Sequence, residues 1–289
     1  MEFIKYEKLE EFMDENFELL LQKEWLNCLI IGNCTEGNEK NEDWFLAKII
    51  ENQKTELIMF YRKPWKLLMY SPTDNTSDEL YKFAAKETYK YVSDLIGVNT
   101  EKEIANKFAK YYCEVSKKQY KLVTPMKILV LEKISPIETV LSNEVIFRGA
   151  REEDRNQLTK YIQKFYKEAV NEEVSDEKAQ EKFNSYLEKG YYVLEKNGKI
   201  ISQAVIGRKL IKGKSISAVY TPKEERGNGY AYNLVYEISK KCLEQGADYC
   251  VLYTDADNPI SNHVYEKIGY EKRVECEDIE FFDRIWMKK

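Results

Sequence analysis

Leu9, Phe12, Met13, Phe17, Leu20 and Leu21 recur at the intervals of one helix face, and the pattern runs on toward Trp25 and Leu29-Ile30-Ile31 until Gly32 and Gly37 break it. Three strands are expected at 44–50, 55–61 and 66–70, joined by polar turns and by Lys63-Pro64. Ser77 or Asp78 caps a helix reaching to 91, with acidic residues in its first turn. A short link over 92–98 leads to Asn99 or Thr100 as the cap of a helix to about 116, and a strand follows at 126–131.

Pro136 and small polar residues mark 134–143 as a linker. Beyond it the pattern resumes with a strand at 145–148 and a helix from 151 to about 170 with Leu158, Ile162, Phe165 and Tyr166 inward. Ser175 caps a second helix that ends near Gly190. Asn197-Gly198 is a strong hairpin signal between strands at 191–196 and 199–208, and Lys212-Gly213-Lys214 turns the chain into a strand at 215–221. Ala231, Leu234, Val235, Ile238 and Cys242 form the stripe of a helix stopped by Gly246, and a strand at 249–255 follows. Asn258 caps a short helix with Pro259 at its first position and Gly269 at its close; Ile260, Val264 and Ile268 are read as its apolar stripe, with Ser261 and Tyr265 on another face. The remainder, 272–287, reads as two strands around Asp283.

A chain of 289 residues accommodates two cores, so the expected domains are 1–133, the linker 134–143, and 144–289. With 43% hydrophobic and 33% charged residues, and no apolar run near the roughly 20 residues of a bilayer span, the composition is that of a globular, cytoplasmic protein without a membrane partner. The start, Met-Glu-Phe-Ile-Lys-Tyr, lacks the features of a signal peptide. Six scattered cysteines with a single histidine, His263, argue for reduced, buried thiols and against a metal site. A net charge of −5 disfavours nucleic acid as a partner and is compatible with a cationic amine as substrate.

The chemistry concentrates between Val219 and Tyr270. The strand ending Val219-Tyr220-Thr221 passes through a charged turn into Arg226-Gly227-Asn228-Gly229-Tyr230-Ala231, where two glycines free the backbone to bend and bare its amides at a helix N-terminus. That is a cradle for an anion, and a pyrophosphate fits it. A Rossmann fingerprint is the rival, but Tyr232 stands at its third glycine and Lys223 to Glu225 separate strand from glycines; a plain tight turn is the other alternative.

Arg226-x-x-Gly229-x-Ala231 resembles the (Gln/Arg)-x-x-Gly-x-(Gly/Ala) signature of the GNAT superfamily of acetyl-CoA-dependent N-acyltransferases. Asn258-Pro-x-Ser261-Asn-x-x-Tyr265-x-x-x-Gly269-Tyr270 resembles the second signature of that superfamily, one helix and one strand downstream. The resemblance implies an α+β fold with a mixed central sheet flanked by helices, with two such domains in tandem if the first half is a degenerate copy. That half repeats the order of elements, yet 71–78 has neither glycine nor arginine, and an unrelated α+β domain explains the pattern equally. The implied function is transfer of an acetyl group from acetyl-CoA to a primary amine of a small molecule or peptide, by a monomer or homodimer using no metal. The resemblance places Val219, Tyr220, Thr221, Arg226, Gly227, Asn228, Gly229, Tyr230, Ala231, Asn258 and Ser261 along the coenzyme, and makes Tyr265 the general acid.

A phenol of pKa about 10 is protonated at neutral pH and can serve a thiolate whose conjugate acid lies near 8 to 9. The strand at 215–221 carries no carboxylate to act as base; Asp255, Glu277, Glu280 and Tyr220 acting through water remain open for that role, and His263 is expected to be exposed and uninvolved. The missing carboxylate keeps a second function in view, a non-catalytic acyl-CoA sensor.

Overall fold

The computed structural model describes residues 1–36, 44–136 and 144–283. Strand β1 (Glu2–Tyr6) pairs antiparallel with β2 (Trp44–Glu51), β2 with β3 (Lys54–Arg62), and β3 with β4 (Leu68–Tyr70), giving a sheet of order β1-β2-β3-β4. β1 has no signature of its own and becomes a strand through its partner. The long helical pattern at the start divides into α1 (Leu9–Gln22) and α2 (Glu24–Glu36) at Lys23, whose backbone leaves the helical region.

Helix α3 (Asp78–Tyr91) starts where expected, with the Ser77 hydroxyl accepting from the Leu80 amide. The expected link and cap at 92–100 is instead largely strand β5 (Gly97–Glu101), because Asn99 donates its amide to Leu67 O at 2.9 Å and the Thr100 hydroxyl donates to Met69 O at 2.6 Å. Tied there, neither residue can cap, and α4 (Lys102–Ser116) begins later. β6 (Gln119–Leu131) follows.

In the second half β7 (Val145–Gly149), β8 (Tyr191–Lys196) and β9 (Lys199–Lys209) pair antiparallel in turn; β10 (Gly213–Tyr220) is antiparallel to β9 and parallel to β11 (Tyr249–Asp255). Asn197 and Gly198 both have positive φ, 51° and 75°, the requirement of the tight hairpin turn their sequence predicts. This sheet's side chains divide between two faces, with a register slip in β9 between Ile200 and Ser202. Leu194, Ile201, Ala204 and Ile216 pack with α7 (Tyr230–Glu244) and α8 (Pro259–Ile268), whereas Val193, Ile200 and Val205 pack with α5 (Arg155–Phe165) and α6 (Asp176–Lys189). The helix expected to run to 170 changes after Phe165 into one π-helical turn, Tyr166–Val170.

The last strand, β12 (Glu271–Phe282), pairs antiparallel with β5, from Cys276 opposite Glu101 to Glu280 opposite Gly97. Its Ile279 and Phe281 complete the core built by Ala47, Leu57, Ala84 and Phe108, with Phe281 stacked on Tyr112 at 5.0 Å. Sequence order alone assigns this strand to the second domain. By contact the described chain forms two units: residues 1–128, 254–258 and 272 onward in the first, 129–253 and 259–271 in the second. The expected boundaries at 133 and 144 follow chain order, and the contacts group it differently at 254–258 and from 272. Residues 137–143 of the expected linker, and most of the second of the two final strands expected up to 287, lie outside the described residues.

Two local findings set up the site. On α8 the buried positions are Asn262, Tyr265 and Ile268, while Ile260, expected inward, is 79% exposed. One helical turn separates each of the three; of the expected stripe Ile268 is buried and Val264 packs against the same core, while Ile260 is outside it and Tyr265 faces the core. In β10 the register slips: Ser217 lies opposite Val205 but Tyr220 opposite Gln203, so three steps on β10 match two on β9. The extra residue centres on Ala218, held at φ 50°. Ile216 packs toward α7, and strict alternation sends Ala218 and Tyr220 the same way; after the bulge both pack toward α5 instead.

Ile268→Ala, at a site 1% exposed, is expected to cost about 3 kcal/mol in urea unfolding, and Ile260→Ala to stay within about 0.5 kcal/mol of the parent; equal losses contradict the orientation of α8. Ala218→Gly is expected to keep the transition within about 1 kcal/mol, and Ala218→Val to lower stability by about 2 kcal/mol, because a β-branched residue tolerates left-handed backbone poorly. Indistinguishable variants count against the bulge.

Candidate functional site

Four features of the second unit converge at the end of β10. The parallel ladder between β10 and β11 is the first: it joins Gly213, Lys214 and Ser215 to Tyr249, Cys250 and Val251 and stops there, although both strands run on. Beyond Ser215, β10 is laddered to β9 on its other side. Its edge toward β11 carries main-chain donors and acceptors over Ile216–Tyr220 outside that ladder, so an extended ligand could add to it as a strand does. The second feature, the bulge at Ala218, lies in this stretch and turns the amides around Val219 away from regular pairing.

The third is the glycine turn. After Tyr220 the chain makes a short 3-10 turn, Lys223–Glu225, and enters α7 through Gly227 at φ 83° and Gly229 at φ 74°. Both are left-handed, and a Cβ at Gly227 would meet nothing within 4 Å, so it is the backbone angle that calls for glycine. No side chain caps α7 and no acid stands in its first turn. The amides of Tyr230 and Ala231 therefore stand at the positive end of the helix with no anionic neighbour in that turn.

The side chains of the turn hold the turn itself. Asn228 donates to Glu225 O at 3.1 Å, and the Thr221 hydroxyl is tied to Ser202 at 2.9 Å. Arg226, expected to face a phosphate, donates to Thr221 O at 2.9 Å and to Glu168 at 2.7 Å, with its guanidinium 5.8 Å from the centre of the Tyr220 ring. Glu168 is the fourth feature and was invisible to sequence reasoning. It belongs to the π-helical turn and touches β10 only because the bulge aims Tyr220 at α5; the Tyr220 hydroxyl lies 3.5 Å from its other oxygen. Arg226 lowers the carboxyl pKa of Glu168, and burial, then Glu168, pushes the Tyr220 phenol up to about 12.

Tyr265 is 8% exposed, edge-on to Tyr270 at 6.1 Å, and packs in the core beneath α7 and α8. Burial raises its pKa to about 12, so the proton stays on the ring well beyond neutral pH. Ser261 is half-buried on the same helix. Asp255 and Asn258 group with the first unit, where Asp255 Oδ1 accepts from the Asp257 amide at 2.9 Å and the Asn258 amide donates to Asp255 O at 3.2 Å. Glu277 and Glu280 also belong to the first unit, where Asn106 donates to Glu277 at 2.6 Å and Lys121 pairs with Glu280 at 3.1 Å. His263 is exposed. Among the described residues no cluster of His, Cys, Asp or Glu is arranged to hold a metal ion, and no helix is long and apolar enough to cross a membrane.

Residues 202–279, which include β10, the glycine turn, α7 and α8, match the family model described as FR47-like protein. A comparison with curated proteins finds no match. Among solved structures, a GCN5-related N-acetyltransferase from Sphaerobacter thermophilus is similar over 97% of this chain and 95% of its own, with a TM-score of 0.64 at 12% identity. A GNAT-family acetyltransferase from Colwellia psychrerythraea is similar over 97% and 99%, with a TM-score of 0.59 at 11% identity. A third, a GCN5-related N-acetyltransferase from Kribbella flavida, covers 81% of this chain and 88% of its own, with a TM-score of 0.54 at 15% identity. Likeness across nearly the whole length gives this chain the fold of those GNAT acetyltransferase structures, and the family match falls on the bulged strand and glycine turn.

Proposed function

We propose that the second unit transfers an acetyl group from acetyl-CoA directly to a primary amine of a small molecule or peptide. The observation that carries this reading is the parting of β10 from β11 after Ser215 and Val251, beside a bulge and above a glycine turn. A pantetheine arm is an extended chain with two amides and pairs with a strand edge as a peptide would. Laid against Ile216–Tyr220, it places the diphosphate at the amides of Gly229, Tyr230 and Ala231, with Arg226 in reach of the phosphates. Ser261 on α8 belongs to the same coenzyme-facing set.

Attack of a neutral amine on the thioester carbonyl moves charge onto its oxygen, and the amide of Val219 or Tyr220 at the bulge supplies the donor for it. Collapse of the tetrahedral adduct forms the amide bond and breaks the C–S bond, and the departing thiolate takes a proton from Tyr265. A phenol at about 12 gives up its proton less readily than one at 10, so this step relies on the thiolate being desolvated and strongly basic as it leaves. With no carboxylate on β10, the protons shed by the amine leave through water, with Tyr220 as a relay at the strand end. The second reading, an acyl-CoA sensor without turnover, is favoured by the burial of Tyr265 in the core.

Calorimetry is expected to detect binding of both acetyl-CoA and free coenzyme A, weakened about 10- to 100-fold by Arg226→Ala, the loss of one charged hydrogen bond; absence of heat with either ligand refutes the assignment. Thiol release from acetyl-CoA over a panel of amines is expected to fall about 100-fold in kcat for Tyr265→Phe. Binding with no turnover for any amine, and a silent Tyr265→Phe, decides for the sensor.

A further inference from the structure

Arg226 occupies a ready-made cation site. Its guanidinium is gripped by the Glu168 carboxylate at 2.7 Å and sits 5.8 Å from the centre of the Tyr220 ring, so one anion and one aromatic ring embrace a single positive charge. Both walls are aimed by irregular backbone: the π-helical turn presents Glu168, and the Ala218 bulge swings Tyr220 to the α5 side. Irregularities of this kind cost free energy and concentrate at functional sites. The Arg226–Glu168 pair is itself a weak tether, with side chains 46% and 30% exposed. A diphosphate at the glycine turn offers the guanidinium two charges in place of one.

We propose that the Glu168–Tyr220 corner is the acceptor's cation site, that Arg226 fills it only until a coenzyme phosphate draws the guanidinium away, and that the group then received is a positive charge of the acceptor other than the reacting amine. The last point follows from charge. A carboxylate beside an aromatic face stabilises the protonated amine, and a protonated nitrogen has no lone pair for the thioester. The nitrogen bound here is therefore not the one that attacks, and the acceptor class is a di- or polycationic amine. The inference rests on the coenzyme A reading above and adds to it a residue outside both sequence signatures. It also couples the two ligands: removing Arg226 from the corner on coenzyme binding favours the acceptor, and by linkage the acceptor favours the coenzyme by the same factor.

The test uses the full chain and two probes of similar length, 1,4-diaminobutane and 4-amino-1-butanol. In calorimetry the diamine is expected to bind the free protein weakly and to bind at least about tenfold more tightly with coenzyme A saturating, while the amino alcohol gains nothing. Glu168→Gln is expected to abolish that gain and, by releasing Arg226, to tighten coenzyme A about two- to fivefold. Glu168→Asp is expected to restore part of the diamine gain, and thermal melts check that both variants fold. Diamine binding that ignores coenzyme A, or that is the same in Glu168→Gln, overturns the proposal and leaves the coenzyme reading standing; so does a Glu168→Gln protein that takes up coenzyme A no more tightly. Wild-type protein that takes up no coenzyme A overturns the reading itself.

Discussion

One surplus residue in β10 is the constraint on which the site depends. A strand presents alternate side chains to opposite faces, and within one ladder nothing but an insertion can change which face a given parity serves. Ala218 is that insertion, at φ 50° and 5% exposed, a conformation that costs an alanine about 1 kcal/mol and persists only because the packing around it is fixed. Tyr220 consequently stands beside Glu168 and Arg226 rather than beneath α7. The same insertion frees main-chain amides where β10 has already parted from β11. A regular strand in this place would close both opportunities together.

What was legible in the sequence is what local chemistry decides. Ser77 and Ser175 cap their helices, Asn197-Gly198 turns its hairpin, and Gly227 and Gly229 take the left-handed angles that their role at the turn requires. Each of these is settled within a few residues, so a pattern of a few residues reports it. The missed features depend on partners remote in the chain. β1 exists because β2 pairs with it, β5 displaces an expected cap because Leu67 and Met69 hold Asn99 and Thr100, and β12 joins the first unit because Ile279 and Phe281 fit between its helices and sheet. Glu168 reads as one more acid on a charged helix until the bulge brings Tyr220 to it. Ile260 departs from the stripe it was expected to share with Val264 and Ile268 because Tyr265, large, mostly apolar and three residues from Ile268, takes the inner face of α8.

The two units share the strand-to-helix step yet differ in what their helix N-termini can accept. In the first, α3 begins with the Ser77 hydroxyl already accepting from Leu80, with Asp78 and Glu79 in the opening turn. One of the orphan amides is satisfied and two negative charges sit on the positive end of the helix, an arrangement that stabilises the helix and repels an added anion. In the second, α7 begins at an uncapped Gly229 with no acid in its opening turn. That end leaves its orphan amides open to an anion, as the proposed function requires. The presence or absence of a cap thus separates a helix finished by its own side chains from one left open to a ligand. The choice is written in three residues at each start, Ser77-Asp78-Glu79 against Gly229-Tyr230-Ala231. That difference, more than any difference in sheet or core, is why the diphosphate of a coenzyme is assigned to the second unit and not to the first.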